Sequence, residues 1–284
     1  DLTLMHSYKV EEFVNSGILD TVEPLISYQP ELEESNYLDT AWDAGKIGDT
    51  QYTIPLDIHA SAMYYNQDLL EKYNVTSWLD DNIVTFDEMM SLAGKMDEGD
   101  YVVNNALLSW VILAQIRNLG GAISDDAGNP TVNTPEMKEA LEKIKALTDA
   151  GLMTPYGEDG YLMFQGGNVL LSTDGTWTST AHNAVDGLNW GVTNIYSTSD
   201  DIATNRAASH MFGMLKSESR TEEKKEVIAK FLEFVRTNSI EWAKAGQIVA
   251  SKDVLESDDY KKYPQSFFTS TPEEEDTLYI FPPS

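Results

Sequence analysis

The sequence has 284 residues, of which 42% are hydrophobic, and a net charge of -28 from 47 acidic and 19 basic residues. This charge disfavours binding to nucleic acid or anionic lipid, because each phosphate contact needs a lysine or an arginine. The sequence contains no cysteine, which excludes disulfides, thiolate metal sites and cysteine nucleophiles. Its apolar runs are too short to span a bilayer.

Hydrophobic spacing in the first half of the chain predicts strands and helices in turn. The predicted elements are a strand over residues 1–5, a helix that ends near Gly17, a strand over 54–65 and a helix that begins at Thr85. Thr85 and Glu88 have the spacing of a capping box, in which each side chain bonds the other residue's backbone N–H.

The second half of the chain shows the same alternation, which favours α/β layers over an all-helical or all-β fold. The predicted elements are helices over 135–151, 222–235 and 239–246, and strands over 168–173 and 190–195. The residues predicted to face inward are Met137, Ala140, Leu141, Ile144 and Leu147 in the first helix, and Val227, Ile228, Phe231, Leu232 and Val235 in the second.

Five stretches of the chain carry a family resemblance. They are residues 1–7 leading into 13–19; residues 52–59 continuing to 64–70; Gly120-Gly121 with Trp110 upstream and 129–132 downstream; residues 164–168 with 173–177; and residues 206–215 followed by 231–235. In this order they resemble the extracellular solute-binding proteins of bacterial ABC importers, the maltose-binding type that forms carbohydrate-binding family 1.

The chain also departs from the family pattern. The family has a strand, a long helix and another strand before the position of Asp1, and it has closing helices after the position of Pro282-Pro283. Residues 247–250 stand where the family has a Tyr-Leu-Pro turn. The sequence begins with no signal peptide. We therefore expect that both ends have been lost.

The resemblance implies a periplasmic-binding-protein-like fold, with two α/β lobes joined by crossing hinge segments and truncated at both ends. Lobe one would comprise residues 1–61 and 213–247, and lobe two residues 68–206 and 250–284. The hinge crossings would be residues 62–67, 207–212 and 248–249. Loss of the first segments would leave the strand over 1–5 with a free edge and would expose apolar residues of lobe one: Leu2, Leu4, Phe13 and Val14.

The function that the resemblance implies is capture of a carbohydrate, an oligosaccharide, between the lobes and its delivery to the membrane permease subunits of an ABC transporter. The protein would be an extracellular or periplasmic monomer, tethered by an N-terminal lipid anchor outside this chain, without a cofactor and without nucleic acid. A polyamine or another cationic solute is an alternative ligand. A glycoside hydrolase needs two carboxylates at a matched separation, and no such pair stands out, so we expect no enzyme.

Candidate ligand-binding residues follow from two arguments. Ligands of open α/β sheets bind beyond the carboxyl ends of strands, which directs attention to His6, Asp57, Asp174 and His210. The resemblance adds a tryptophan in the cleft and an acidic pair on a strand, where the second acid is replaced by histidine. The full set is His6, Ser7, Tyr8, Asp57, His59, Tyr65, Trp110, Asp174, Trp177, Ser209 and His210.

Each aromatic candidate has an alternative structural role. Trp177 would stack on a sugar or would pack in the structure, and Trp110 lies in an apolar run typical of a core. Tyr64 and Tyr65 should point to opposite faces of their strand, one into the core and one near the hinge. Trp42, Trp78, Trp190 and Trp242 are interpreted as core or surface residues.

Three of the four histidines, His6, His59 and His210, fall at predicted cleft positions, and His182 does not. Zinc sites built from neighbouring residues use short ligand spacings, which these histidines lack. We therefore expect no metal site.

Overall fold

A computed structural model describes residues 1–125 and 128–281. Strands and helices alternate along the chain. The strands are β1 Leu2–His6, β2 Lys46–Ile47, β3 Thr50–Gln51, β4 Thr53–Pro55, β5 Asp57–Asn66, β6 Tyr101–Val103, β7 Val169–Gly175, β8 Trp190–Thr193, β9 Asn205–Ala208, β10 His210–Met214, β11 Ile248–Val249 and β12 Leu278–Ile280. The helices are α1 Val10–Asn15, α2 Glu23–Tyr28, α3 Asp39–Asp43, α4 Gln67–Lys72, α5 Phe86–Met90, α6 Leu108–Asn118, α7 Pro135–Asp149, α8 Gly160–Gln165, α9 Ser179–Asn183, α10 Glu222–Thr237, α11 Ile240–Ala243, α12 Lys252–Leu255 and α13 Pro272–Glu275.

The chain divides into two compact units. Unit one contains Asp1–His59, Ala207–Thr271 and Tyr279–Phe281, and unit two contains Ala60–Arg206 and Pro272–Leu278. The chain therefore passes from one unit to the other within β5, within β9, between Thr271 and Pro272 at the beginning of α13, and within β12.

The main sheet of unit one has the order β1-β10-β4, and both pairings are antiparallel. In this register His6 of β1 lies opposite His210 of β10. β11 pairs with the beginning of β5, which places Val249 opposite Asp57. Among the described residues β1 pairs only with β10, so its other edge is free, as the sequence predicted, and Leu4 on this strand is 47% exposed.

In unit two, β5 pairs antiparallel with β7 and β8, and β7 pairs parallel with β6. The core beneath these strands combines Met63 of β5 and Leu170 of β7 with Val111 of α6 and Leu147 of α7. These residues are fully or almost fully buried, because β5 and β7 carry apolar side chains towards the helices. This packing fixes the end of β7, which contains the predicted cleft residue Asp174 and is followed by Trp177.

Local sequence signals begin the helices where expected. The predicted capping box at Thr85 and Glu88 is present, and both of its hydrogen bonds form. Thr134 caps α7, whose first residue is the predicted Pro135. Thr221 caps α10 in the same way, by accepting a hydrogen bond from the Lys224 backbone N–H.

The prediction of which residues face inward is partly wrong for two helices, α10 and α7. Val227 and Phe231 of α10 are 60% and 47% exposed, whereas Ile228 and Leu232 are buried. The helix has apolar residues on two faces, and only the face that includes Ile228 and Leu232 is covered. Leu141 of α7 is also largely exposed. Periodicity alone does not show which of two apolar faces meets a neighbour.

The units differ from the predicted lobes mainly at residues 250–271, which the sequence assigned to lobe two and which belong to unit one. The reason is the pairing of β11 with β5 and the packing of Val254 and Tyr260 against Ala243 of α11. Residues 282–284 of the predicted second lobe lie outside the described residues. In the part of the chain that the structure describes, no helix is both long and apolar enough to cross a membrane.

Candidate functional site

Asp57 is the centre of a polar cluster in unit one. It begins β5 and its side chain is completely buried. The backbone N–H of His210 donates to Oδ1 at 2.9 Å, and His210 Nδ1 lies 2.8 Å from Oδ2. The indole Nε1 of Trp242 donates to Oδ2 at 2.5 Å. A buried carboxylate needs partners of this kind, since an unpaired charge is costly in the interior.

The ionisation of Asp57 follows from these contacts. Burial by itself raises the pKa of a carboxyl, but the hydrogen bonds and electrostatic interactions of Asp57 with His210 and His59 outweigh this effect. The pKa of Asp57 therefore falls to about 2. The carboxylate is ionised at neutral pH and acts as a fixed acceptor.

Three predicted histidines form a cluster, and two of them, His59 and His210, contact this carboxylate. His6 and His210 are cross-strand neighbours, and His59 lies on the same face of β5 as Asp57. The ring centroids are 4.8 Å apart for His6 and His210, 5.2 Å for His6 and His59, and 4.4 Å for His59 and His210. His59 Nδ1 lies 3.5 Å from Asp57 Oδ1. The exposed ring of Tyr8 stacks on His6 at 5.1 Å.

Ser7 and Ser209, also candidates, are both buried and are hydrogen-bonded to each other. The Ser7 backbone N–H donates to the Ser209 carbonyl at 2.8 Å, and the Ser209 backbone N–H donates to Ser7 Oγ at 3.2 Å. These contacts position the ends of β1 and β10, and therefore His6 and His210.

A second cluster lies in unit two, where Trp177 follows the end of β7. Its indole lies against Gly175 so closely that a Cβ at that position would be 2.2 Å from a ring carbon. Trp177 meets Trp110 of α6 edge to face, with ring centroids 5.8 Å apart. The guanidinium carbon of Arg206 lies 3.7 Å from the centroid of the Trp110 ring, a cation–π contact. All three side chains are partly exposed.

Two further candidates lie in unit two. Asp174 is the penultimate residue of β7 and accepts a hydrogen bond from the Gly175 backbone N–H at 2.7 Å. Burial raises the pKa of this carboxyl to about 6. The ring of Tyr65 covers Gly191, its partner on β8. Its neighbour Tyr64 is fully buried, in agreement with the prediction that the pair would divide between two environments.

Sequence reasoning missed two side chains of these clusters. Trp242 was interpreted as core or surface, and only the tertiary fold shows that it donates to Asp57. Arg206 stood at the start of a family stretch but offered no signal that it would cover Trp110. His182 lies apart from the candidate clusters, as predicted, among the rings of Tyr64 and Phe164.

Comparison with known proteins identifies the family. Residues 1–269 match the bacterial extracellular solute-binding proteins. The chain belongs to this family. Its members are binding proteins rather than enzymes, which confirms the expectation that the protein is not an enzyme. The family also implies a location outside the cytoplasm.

Curated relatives match part of the chain. A putative binding protein of Brucella abortus strain 2308 is 26% identical over 171 residues, which is 55% of this chain and 38% of the relative. A probable ABC transporter-binding protein of Deinococcus radiodurans is 28% identical over 129 residues, or 40% of this chain and 30% of the relative. The matched segments thus span about a third of the length of these relatives.

Solved structures cover the chain almost completely. The sugar-binding protein MalE of Xanthomonas citri superposes with a TM-score of 0.81 at 14% identity, over 99% of this chain and 73% of its own. A Listeria monocytogenes ABC substrate-binding protein in complex with cycloalternan superposes with a TM-score of 0.79 at 18% sequence identity, over 100% of this chain and 74% of its own. Maltose-bound MalE3 of T. maritima superposes with a TM-score of 0.79 at 20% sequence identity, over 100% of this chain and 74% of its own. These matches confirm the predicted periplasmic-binding-protein-like fold.

Proposed function

We propose that this solute-binding protein captures a carbohydrate, an oligosaccharide, between two lobes and delivers it to the membrane permease subunits of an ABC transporter. The observation that carries the proposal is the partly exposed pair of Trp110 and Trp177, with the guanidinium of Arg206 on one of the rings. Trp177 follows the carboxyl end of β7, the position at which open α/β sheets bind ligands, and Trp110 of α6 meets it there.

The chemistry of this cluster suits a sugar. A sugar ring has a weakly apolar face, which stacks on an indole, and an edge of hydroxyls, which needs directed donors and acceptors. Arg206 supplies several N–H donors in a fixed plane. Contact with Trp110 restricts the guanidinium of Arg206 before a ligand arrives, which lowers the entropy lost on binding.

The same contact argues against a polyamine or another cationic solute. The face of Trp110 is already occupied by the positive charge of Arg206. A cationic ligand at this cluster would meet like charge, whereas a neutral sugar would not. We keep the cationic solute as an outcome of the salt-dependence test below.

The proposed location and the proposed permease partners rest on membership of the family. The protein would act as a monomer outside the cytoplasmic membrane, tethered by an N-terminal lipid anchor, with permease subunits as partners. Light scattering coupled to size-exclusion chromatography tests the monomer, and we expect the mass of one chain, 31.7 kDa. A dimer mass would contradict this part of the proposal.

Replacement of Trp177 tests the sugar site directly. We expect Trp177→Ala to weaken binding of a neutral oligosaccharide by about 2 kcal/mol or more, a factor of about 30 in Kd, because the stacking face is lost. Isothermal titration calorimetry measures the change. The matched control is Tyr156→Ala, which removes a fully exposed aromatic ring of unit two outside the cluster and should leave the affinity unchanged. Equal affinities of Trp177→Ala and the wild type would contradict the proposal.

A further inference from the structure

We propose that His6, His59 and His210 bind a divalent transition-metal ion of the Zn²⁺ class. One ligand atom from each histidine can be chosen so that all three lie within 4.8 Å of one another. The histidines come from β1, from β10 and from the beginning of β5, all in unit one, and these strands hold their backbones in place. Their distance along the chain therefore does not prevent a shared site.

The distances suit three imidazoles around one ion. Nitrogen ligands about 2.0–2.1 Å from a tetrahedral zinc ion stand about 3.4 Å from one another. The ligand atoms here lie within 4.8 Å of one another, so binding requires side-chain rotations that bring them up to about 1.4 Å closer. The ring centroids are 4.4 to 5.2 Å apart, so the three imidazoles already contact one another.

Asp57 positions the cluster for this role. A carboxylate only accepts hydrogen bonds, so His210 Nδ1, 2.8 Å from Asp57 Oδ2, carries the proton and leaves Nε2 with its lone pair. Metal-binding histidines commonly have such a carboxylate partner, which fixes the tautomer and the ring orientation. Trp242 and the His210 backbone N–H hold the carboxylate in turn.

The ligand set selects the class of metal. Imidazole nitrogens favour zinc, copper, nickel and cobalt, whereas magnesium and calcium prefer oxygen ligands. His59 is 5% exposed, while His6 and His210 are partly exposed, so an ion can reach the cluster from solvent. Three protein ligands leave a fourth position for water or for an atom of a bound solute. The inference does not rest on the carbohydrate proposal, because all of its residues lie in unit one.

Titration calorimetry with ZnCl₂ tests the inference on the full chain after treatment with a chelator. We expect one Zn²⁺ per chain, and no comparable binding of Mg²⁺. His6→Ala should weaken zinc binding by about 100-fold or more, since loss of a carboxylate partner alone costs about 10–100-fold. The matched control is His182→Phe, which removes the remaining histidine and should leave the zinc affinity unchanged.

His210→Ala provides a second ligand variant, and circular dichroism establishes that each variant is folded. Zinc binding that is absent, or that is unaffected in both folded variants, would overturn the inference and would assign any signal to surface carboxylates. Sugar titrations on the chelator-treated protein separate the two proposals. Zinc binding without sugar binding defeats only the carbohydrate proposal, and sugar binding without zinc binding defeats only this one.

Discussion

His182 gives a prediction whose size follows from the structure. It lies on α9, fully buried among the rings of Tyr64, Tyr161, Phe164 and Trp190, at centroid distances of 4.6, 5.2, 5.0 and 5.6 Å. Among the described residues neither ring nitrogen has a hydrogen-bond partner. The change we consider is His182→Phe, which keeps an aromatic ring and removes the group that titrates.

Burial lowers the pKa of His182 from 6.5 to about 4. The unfolded chain therefore binds a proton between these pH values while the folded chain does not, and folding stability falls as the pH falls from 6.5 to 4. The shift of about 2.5 units corresponds to about 3 kcal/mol at pH 4. Since phenylalanine does not titrate, the variant should gain about 3 kcal/mol over the wild type between pH 7 and pH 4.

Urea unfolding of the wild type and His182→Phe at pH 7 and pH 4 measures this difference in the free energy of unfolding. The matched control is Asp174→Asn, for which the expected change in stability has the opposite sign. Burial raises the pKa of Asp174 from 3.8 to about 6, so the folded state gains stability as the pH falls through 6, by about 2 kcal/mol at pH 4. Asp174→Asn should therefore lose about 2 kcal/mol relative to the wild type over the same range. Parallel pH curves for the wild type and His182→Phe would refute the reasoning.

Three further predictions concern the two clusters. Gly175→Ala should weaken sugar binding in calorimetry about as much as loss of the Trp177 indole, because the new Cβ displaces that ring; an unchanged affinity would show that the ring position does not matter. Asp57→Asn should lower the free energy of unfolding in urea at pH 7 by about 1–3 kcal/mol, because an amide nitrogen would face the donors of His210 and Trp242; equal stability would contradict the hydrogen bonds described. Sugar affinity should change less than about twofold between low and high salt, because a neutral ligand has no charge to screen, and a loss of about tenfold would favour a cationic solute.

Elements with strong local signals could be predicted from the sequence. Thr85 and Glu88 show their capping box in the sequence itself. Residues 54–65 have the β-branched and aromatic residues that strands prefer, but the structure divides the predicted strand at Leu56 into β4 and β5. The two apolar faces of α10 could not be told apart, because the choice between Ile228 and Val227 depends on which face meets a neighbour.

The candidate site divides in the same way. The rule that ligands bind beyond strand ends singled out His6, Asp57 and His210 one at a time. Their assembly depends on the antiparallel register of β1 and β10 and on the position of β5, which no local pattern encodes. The expectation of no metal site was based on the spacing of the histidines along the chain, whereas the distances between their imidazole rings depend on this register. Trp242 enters the cluster from a distant helix for the same reason.

A thermal-shift screen against neutral mono- and oligosaccharides tests the central claim most directly. A ligand that binds only the folded chain adds roughly 2.7 kcal/mol at about 100 times its Kd. We therefore expect at least one neutral oligosaccharide to raise Tm by about 5 °C in the chelator-treated protein. A screen in which no sugar raises Tm while a polyamine does would contradict the account.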